Sequence, residues 1–222
     1  MRMTFSAYSK VLGGAVFIAG LFVLGSCNKS ASVATPRPPG NEFLTTVELS
    51  YVNANNSSDN GIAIWRQLDP TGAALPDTSK AILNLKANST YNVTMIILDE
   101  TKTPVDTVSI VIRQRQNYHL EYYQPTPISA QNLVISNTST DIPVSDGTVT
   151  SATGPYLNLV VTRTDYDTNV PPMQVGLNTI FATGAASTGW LRVVQRHQPN
   201  VKNGTFDPGS ADFDINYKVN IN

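Results

Sequence analysis

The chain has 222 residues, 41% hydrophobic and 14% charged, with 15 basic against 16 acidic residues and a formal net charge of −1. That length suits one domain or two small ones, with enough mass to bury a core. The near-neutral charge argues against a nucleic-acid partner, which calls for a basic excess. Cys27 is the single cysteine, so no intrachain disulfide forms and the fold rests on packing and strand pairing.

Residues 1–26 read as an export signal. Arg2 and Lys10 supply a positive start, and no acidic residue occurs before Glu42. The apolar run from Val11 to Leu24 has the length of a signal-peptide core and is too short for a permanent membrane span. It ends in Leu24-Gly25-Ser26-Cys27, which resembles the lipobox of bacterial lipoproteins. The resemblance implies cleavage before Cys27, a diacylglycerol on its thiol and acylation of the new amine. Several acyl chains anchor stably, because each buried methylene adds about 0.8 kcal/mol. Residues 28–41 (NKSASVATPRPPGN) are small, polar and Pro-rich, the composition of a flexible tether.

From residue 42 onward, period-two alternation predicts strands. Phe43, Val47, Leu49 and Tyr51 share one face of the first, Ile62, Ile64 and Leu68 line the second, and Ala81, Leu83 and Leu85 the third. The run Tyr91 to Leu98 is apolar on both faces at its end and reads as a central strand. Thr103-Pro104-Val105-Asp106 has the form of a capping box with Pro at the first helical position, and Val105, Val108 and Ile112 follow at helical spacing. A short helix near 104–113 is therefore expected, although Val108, Ile110 and Ile112 also alternate. Strands are expected near 131–136, 156–164, 175–183 and 189–197. The last strand is the clearest: Phe213, Ile215, Tyr217, Val219 and Ile221 point one way, and Asp212, Asp214, Asn216, Lys218 and Asn220 the other. The turns Asp69-Pro70-Thr71-Gly72, Asp146-Gly147, Asn203-Gly204 and Asp207-Pro208-Gly209 punctuate them. About nine strands predict an all-β, immunoglobulin-like antiparallel β-sandwich over 42–222. The polar tract 137–155 reads as a long loop or as a boundary between two lobes.

Several phrases resemble a family of Bacteroidetes outer-membrane lipoproteins. They are Leu44-Thr45-Thr46-Val47-Glu48-Leu49, Leu83 to Tyr91, Leu98-Asp99-Glu100-Thr101, the aromatic stretch Asn117 to Tyr123, Thr183-Gly184-Ala185-Ala186, and Leu191 to Pro199. The resemblance spans most of the chain after Cys27 and implies an envelope protein, with no activity attached. Family members carry the label of a type 1 periplasmic binding fold, which needs helices alternating with parallel strands. This sequence lacks those helices. It also departs from the family in having Tyr118 before the first histidine and Asn28-Lys29 after the cysteine, where acidic residues are usual. The missing acidic run favours the periplasmic face of the outer membrane over the cell surface.

Three constellations carry chemistry. On a strand, His119, Glu121 and Tyr123 share one face, with Tyr118, Leu120 and Tyr122 turned to the core. His119 and Glu121, joined by His197 if its strand lies alongside, make a donor set suited to Zn²⁺ or Cu²⁺. Asp165, Asp167 and Asn169 alternate like the opening of a calcium loop, but Val170 and Gly176 stand where an EF-hand needs Gly and Glu. Trp65, which falls opposite Ile62 and Ile64, and Trp190, which shares a face with Arg192 and Arg196, are candidates for stacking on sugar rings. No Gly-x-Ser-x-Gly elbow, nucleotide loop or zinc-finger spacing occurs. The sequence thus predicts a non-catalytic, lipid-anchored envelope protein binding a metal ion, a glycan or another protein, as an accessory to a TonB-dependent transporter. A structural or adhesive scaffold without a small-molecule site is the alternative.

Overall fold

A computed structural model describes residues 43–69, 71–126 and 157–222. Cys27, the tether, the strand expected near 131–136 and the tract 137–155 lie outside the described residues. The elements run β1 (Thr46–Asn53), β2 (Asn56–Arg66), β3 (Asp77–Lys80), β4 (Ile82–Leu85), β5 (Thr90–Asp99), β6 (Asp106–Thr107), α1 (Val108–Gln114), β7 (His119–Thr126), β8 (Leu159–Arg163), β9 (Asn178–Thr183), β10 (Ser187–His197) and β11 (Ser210–Ile221). They form two sheets, one ordered β3-β2-β1-β5-β9-β8 with β6 on β5, the other β4-β11-β10-β7. Every pairing is antiparallel except β4 with β11. The expected all-β sandwich is the fold.

The core lies between the sheets, and alternation builds it. Val47, Leu49 and Tyr51 of β1, Tyr91, Val93, Met95 and Ile97 of β5, and Phe213, Ile215, Tyr217, Val219 and Ile221 of β11 all point inward. As expected, β5 lies inside its sheet, between β1 and β9. The inward face of β2 is the reverse of the expected one. Ala63 and Trp65 point to the core, whereas Ile62 is 55% exposed. Register explains this: Val47, Leu49 and Tyr51 stand opposite Trp65, Ala63 and Gly61. A Cβ on Gly61 would sit 2.4 Å from the Tyr51 hydroxyl oxygen, so Tyr51 requires a glycine opposite it on β2.

The helix starts later than its capping box suggests. Thr107 and Asp106 pair with Leu98 and Asp99 of β5, which draws them into the sheet and leaves Val108 as the first helical residue. Val108 and Ile112 bury one face, and Val105 stays exposed. On β7 the core face also differs from expectation. Tyr123 joins the main core, while Leu120 and Tyr122 form a separate small cluster with Val194 and Phe206 on the outer side of the sheet. The segment 198–209, linking β10 to β11, supplies that cover, so β7 is buried on both faces.

Candidate metal centre

Strands β7 and β10 pair so that His119 stands directly opposite His197. Side chains directly opposite on an antiparallel pair share a face and touch. The two imidazoles stack with centroids 4.9 Å apart and planes 10° from parallel. His119 is fully buried, and its Nδ1 lies 3.1 Å from the Arg115 carbonyl oxygen just after α1. A carbonyl only accepts, so Nδ1 donates, and in the neutral ring Nε2 carries the lone pair.

The third member comes from β11. Phe213 pairs with Gln195 and Ala211 with Arg196, so the register shift leaves Asp212 as an extra residue. A bulge of this kind re-aims a side chain. Donor atoms of His119, His197 and Asp212 all lie within 4.8 Å of one another. His197 and Asp212 are only half-buried, which opens the group to solvent on their side.

The segment 198–209 holds the ends of β10 and β11 together beside this cluster. The Arg196 guanidinium donates to the carbonyls of Asp207 and Gly209 at 3.0 and 2.8 Å and lies over the Phe206 ring. Gln198 Nε2 donates to the carbonyls of Thr205 and Pro208, both at 2.8 Å. Lys202 is fully buried against Asp167, at 2.8 Å, and donates to the Gln116 carbonyl at 2.9 Å.

Glu121 is not part of the group, although the sequence placed it there. It pairs with Gln195, one step further along the same face, and its Oε1 accepts a bond from Gln195 Nε2 at 2.7 Å. The approach of Gly176 confines it: a Cβ there would lie 2.8 Å from the Glu121 Cβ. Burial, and then the nearby carboxylates of Asp212 and Asp165, push the Glu121 carboxyl well above the usual carboxylate range. Asp212 takes its place because it belongs to the bulge, a feature that alternation in the sequence does not reveal.

Of the expected calcium set Asp165, Asp167 and Asn169, the two carboxylates are already engaged by other donors. Asp165 accepts from the backbone N–H groups of Gly176 and Leu177, at 2.8 and 3.1 Å. Asp167 accepts from the N–H groups of Asn169 and Met173 and from the Asn169 amide, besides pairing with Lys202. A cation would have to displace these donors and meet an ammonium. The two tryptophans do come together, lining one groove with residues of β11. Trp190 is 52% exposed, whereas Trp65 is partly buried against the core, contrary to its expected exposure.

Compared with protein-family models, curated proteins and solved structures, the chain matches none.

Proposed function

We propose that this chain is a non-catalytic, lipid-anchored envelope protein whose sandwich binds a divalent transition metal, Zn²⁺ or Cu²⁺, through His119, His197 and Asp212. The observation that carries the reading is the in-register histidine pair with a carboxylate beside it. Imidazole and carboxylate suit these borderline ions, and a ligating histidine that donates its other N–H to a carbonyl is the usual supporting arrangement. Zinc bonds of about 2.0–2.1 Å put tetrahedral donors about 3.4 Å apart. Donors within 4.8 Å must draw closer to bind, and the movement falls to His197 and Asp212, which are only half-buried. Three protein ligands leave a position for water or for a group from a partner. The lipobox resemblance supports Cys27 as the anchor, composition supports residues 28–41 as the tether, and the lack of acidic residues after Cys27 favours the periplasmic face of the outer membrane. The partner argued by analogy is a TonB-dependent transporter.

Calorimetric titration of the full chain with Zn²⁺ and Cu²⁺ tests the metal reading. One equivalent should bind, and H119A and D212N should each weaken binding by about tenfold or more. E121Q should bind like the parent, which separates this donor set from the one with Glu121. Absence of uptake, or uptake by H119A equal to the parent, would overturn the reading in favour of a scaffold. Mass spectrometry of the N-terminus tests the anchor, and an unmodified Cys27 would refute it.

A further inference from the structure

A second site arises from the way the chain changes sheets. Strand β3 belongs to one sheet and β4 to the other, and the crossing falls at Ala81. Strand β4 pairs with β11 only over Lys218–Ile221, so earlier in β11 the two edges diverge. The gap is a groove of about 460 Å³, lined by Trp65, Pro76 and Ile82 on one side and Trp190, Asn216 and Lys218 on the other. That volume falls within the range of small-ligand sites, about 300–1,000 Å³. None of the proposed metal ligands lines it.

The main chain at the groove offers hydrogen bonds. The Lys218 N–H donates to the Ala81 carbonyl, so even-numbered residues of β11 turn their amides toward the β4 side. Asn216 and Asp214 share that orientation, because alternate residues of a strand face the same neighbour. No strand among the described residues pairs with them there, so this stretch is an open sheet edge. The side chains on the outward face add more polar groups. Trp190 stands directly opposite Lys218, which stands opposite Ile82, giving a row across three strands. Asp214 is fixed by Arg192, whose Nε donates to it at 2.7 Å.

We propose that this groove binds a saccharide, with Trp190 stacking on a sugar ring and the β11 edge meeting its hydroxyls. A pyranose has an apolar C–H face, which suits an indole, and a rim of hydroxyls that both donate and accept. The rim matches the Asn216 amide, the Lys218 ammonium and the open N–H and C=O groups of Asp214 and Asn216. An extended peptide would use the same edge by adding a strand. It would want apolar sockets for alternate side chains, and the outward row Asp214, Asn216, Lys218 is polar.

The test is tryptophan fluorescence and calorimetry on the full chain with cello-, xylo-, malto-, laminari- and chito-hexasaccharides. At least one should bind with a change in indole emission, and W190A should weaken it by about tenfold or more. N216A should weaken it with the fold intact by circular dichroism, and EDTA should leave it unchanged because the metal ligands lie elsewhere. The proposal is overturned if no member of the panel binds, if W190A binds as the parent does, or if only an extended apolar peptide competes for the indole signal. Loss on EDTA treatment would also overturn it, by placing the sugar at the metal.

Discussion

Gly209 shows how closely the segment after β10 is held against the histidine pair. Its φ is +82°, and a Cβ there would lie 2.0 Å from the His197 carbonyl oxygen, a backbone atom that cannot swing aside. Two penalties therefore meet at one residue, the left-handed conformation and the contact. G209A should cost about 2 kcal/mol or more in denaturant unfolding, and should also weaken metal uptake, because the residue it displaces is His197. A loss below about 0.5 kcal/mol, the range of an ordinary surface change, would show that the segment is not clamped. The sequence shows Asp207-Pro208-Gly209 as a turn, but not that the turn closes on a histidine. Asp212 is hidden for a related reason. By alternation it belongs with Asp214 and Asn216 on the outer face, and only the bulge opposite Gln195 and Arg196 removes it from that row.

Among the elements, the segment 198–209 depends on one buried ion pair for its attachment to the turn before β9. Lys202 and Asp167 are both out of water, and Lys202 also reaches the Gln116 carbonyl. Burial alone would raise the Asp167 carboxyl, but Lys202 and the N–H groups of Met173 and Asn169 outweigh it and hold the carboxyl below its usual range. A depressed carboxyl stabilises the fold fully above the ordinary aspartate value near 3.9, and the contribution is lost as pH falls through the lower folded value. K202M leaves the Asp167 charge with its amide donors only, so a loss of about 3 kcal/mol is expected near neutral pH. Its stability should also fall less steeply with acid, and adding D167N should return much of the loss. A K202M protein as stable as its parent would refute this role. Neither residue stands out in the sequence, since the pair joins positions 35 apart across two loops. What the sequence does reveal at this scale is the alternation of β1, β5 and β11, because each buries one continuous apolar face. It misleads at β2, where an isoleucine pair looks like the buried face but Tyr51 requires Gly61 opposite it and so turns Ala63 and Trp65 to the core.

For the whole molecule, the three proposed ligands come from β7, β10 and β11, adjacent strands of a single sheet. The histidine pair was legible as two isolated residues in strand-like phrases; their meeting depends on β7 lying beside β10 in one register, which no local pattern encodes. A metal bound there favours the folded state over a chain in which the donors are far apart. At a free concentration of a hundred times its dissociation constant, such a ligand adds about 2.7 kcal/mol. For a body of this size, 1 kcal/mol moves the melting temperature by about 2–4 °C, so Zn²⁺ should raise it by about 5–10 °C. H119A should cut the rise to about half or less, because the buried imidazole is the ligand fixed by the Arg115 carbonyl and a tenfold weaker site adds only about 1.4 kcal/mol at the same metal concentration. Calcium at the same concentration should produce none, since the carboxylates of Asp165 and Asp167 are already held by N–H donors and Lys202. The scan can be run with and without reductant, because no cross-link holds the sandwich and only the metal should shift the transition. A rise with calcium, or one that H119A leaves undiminished, would place the cation outside the histidine pair.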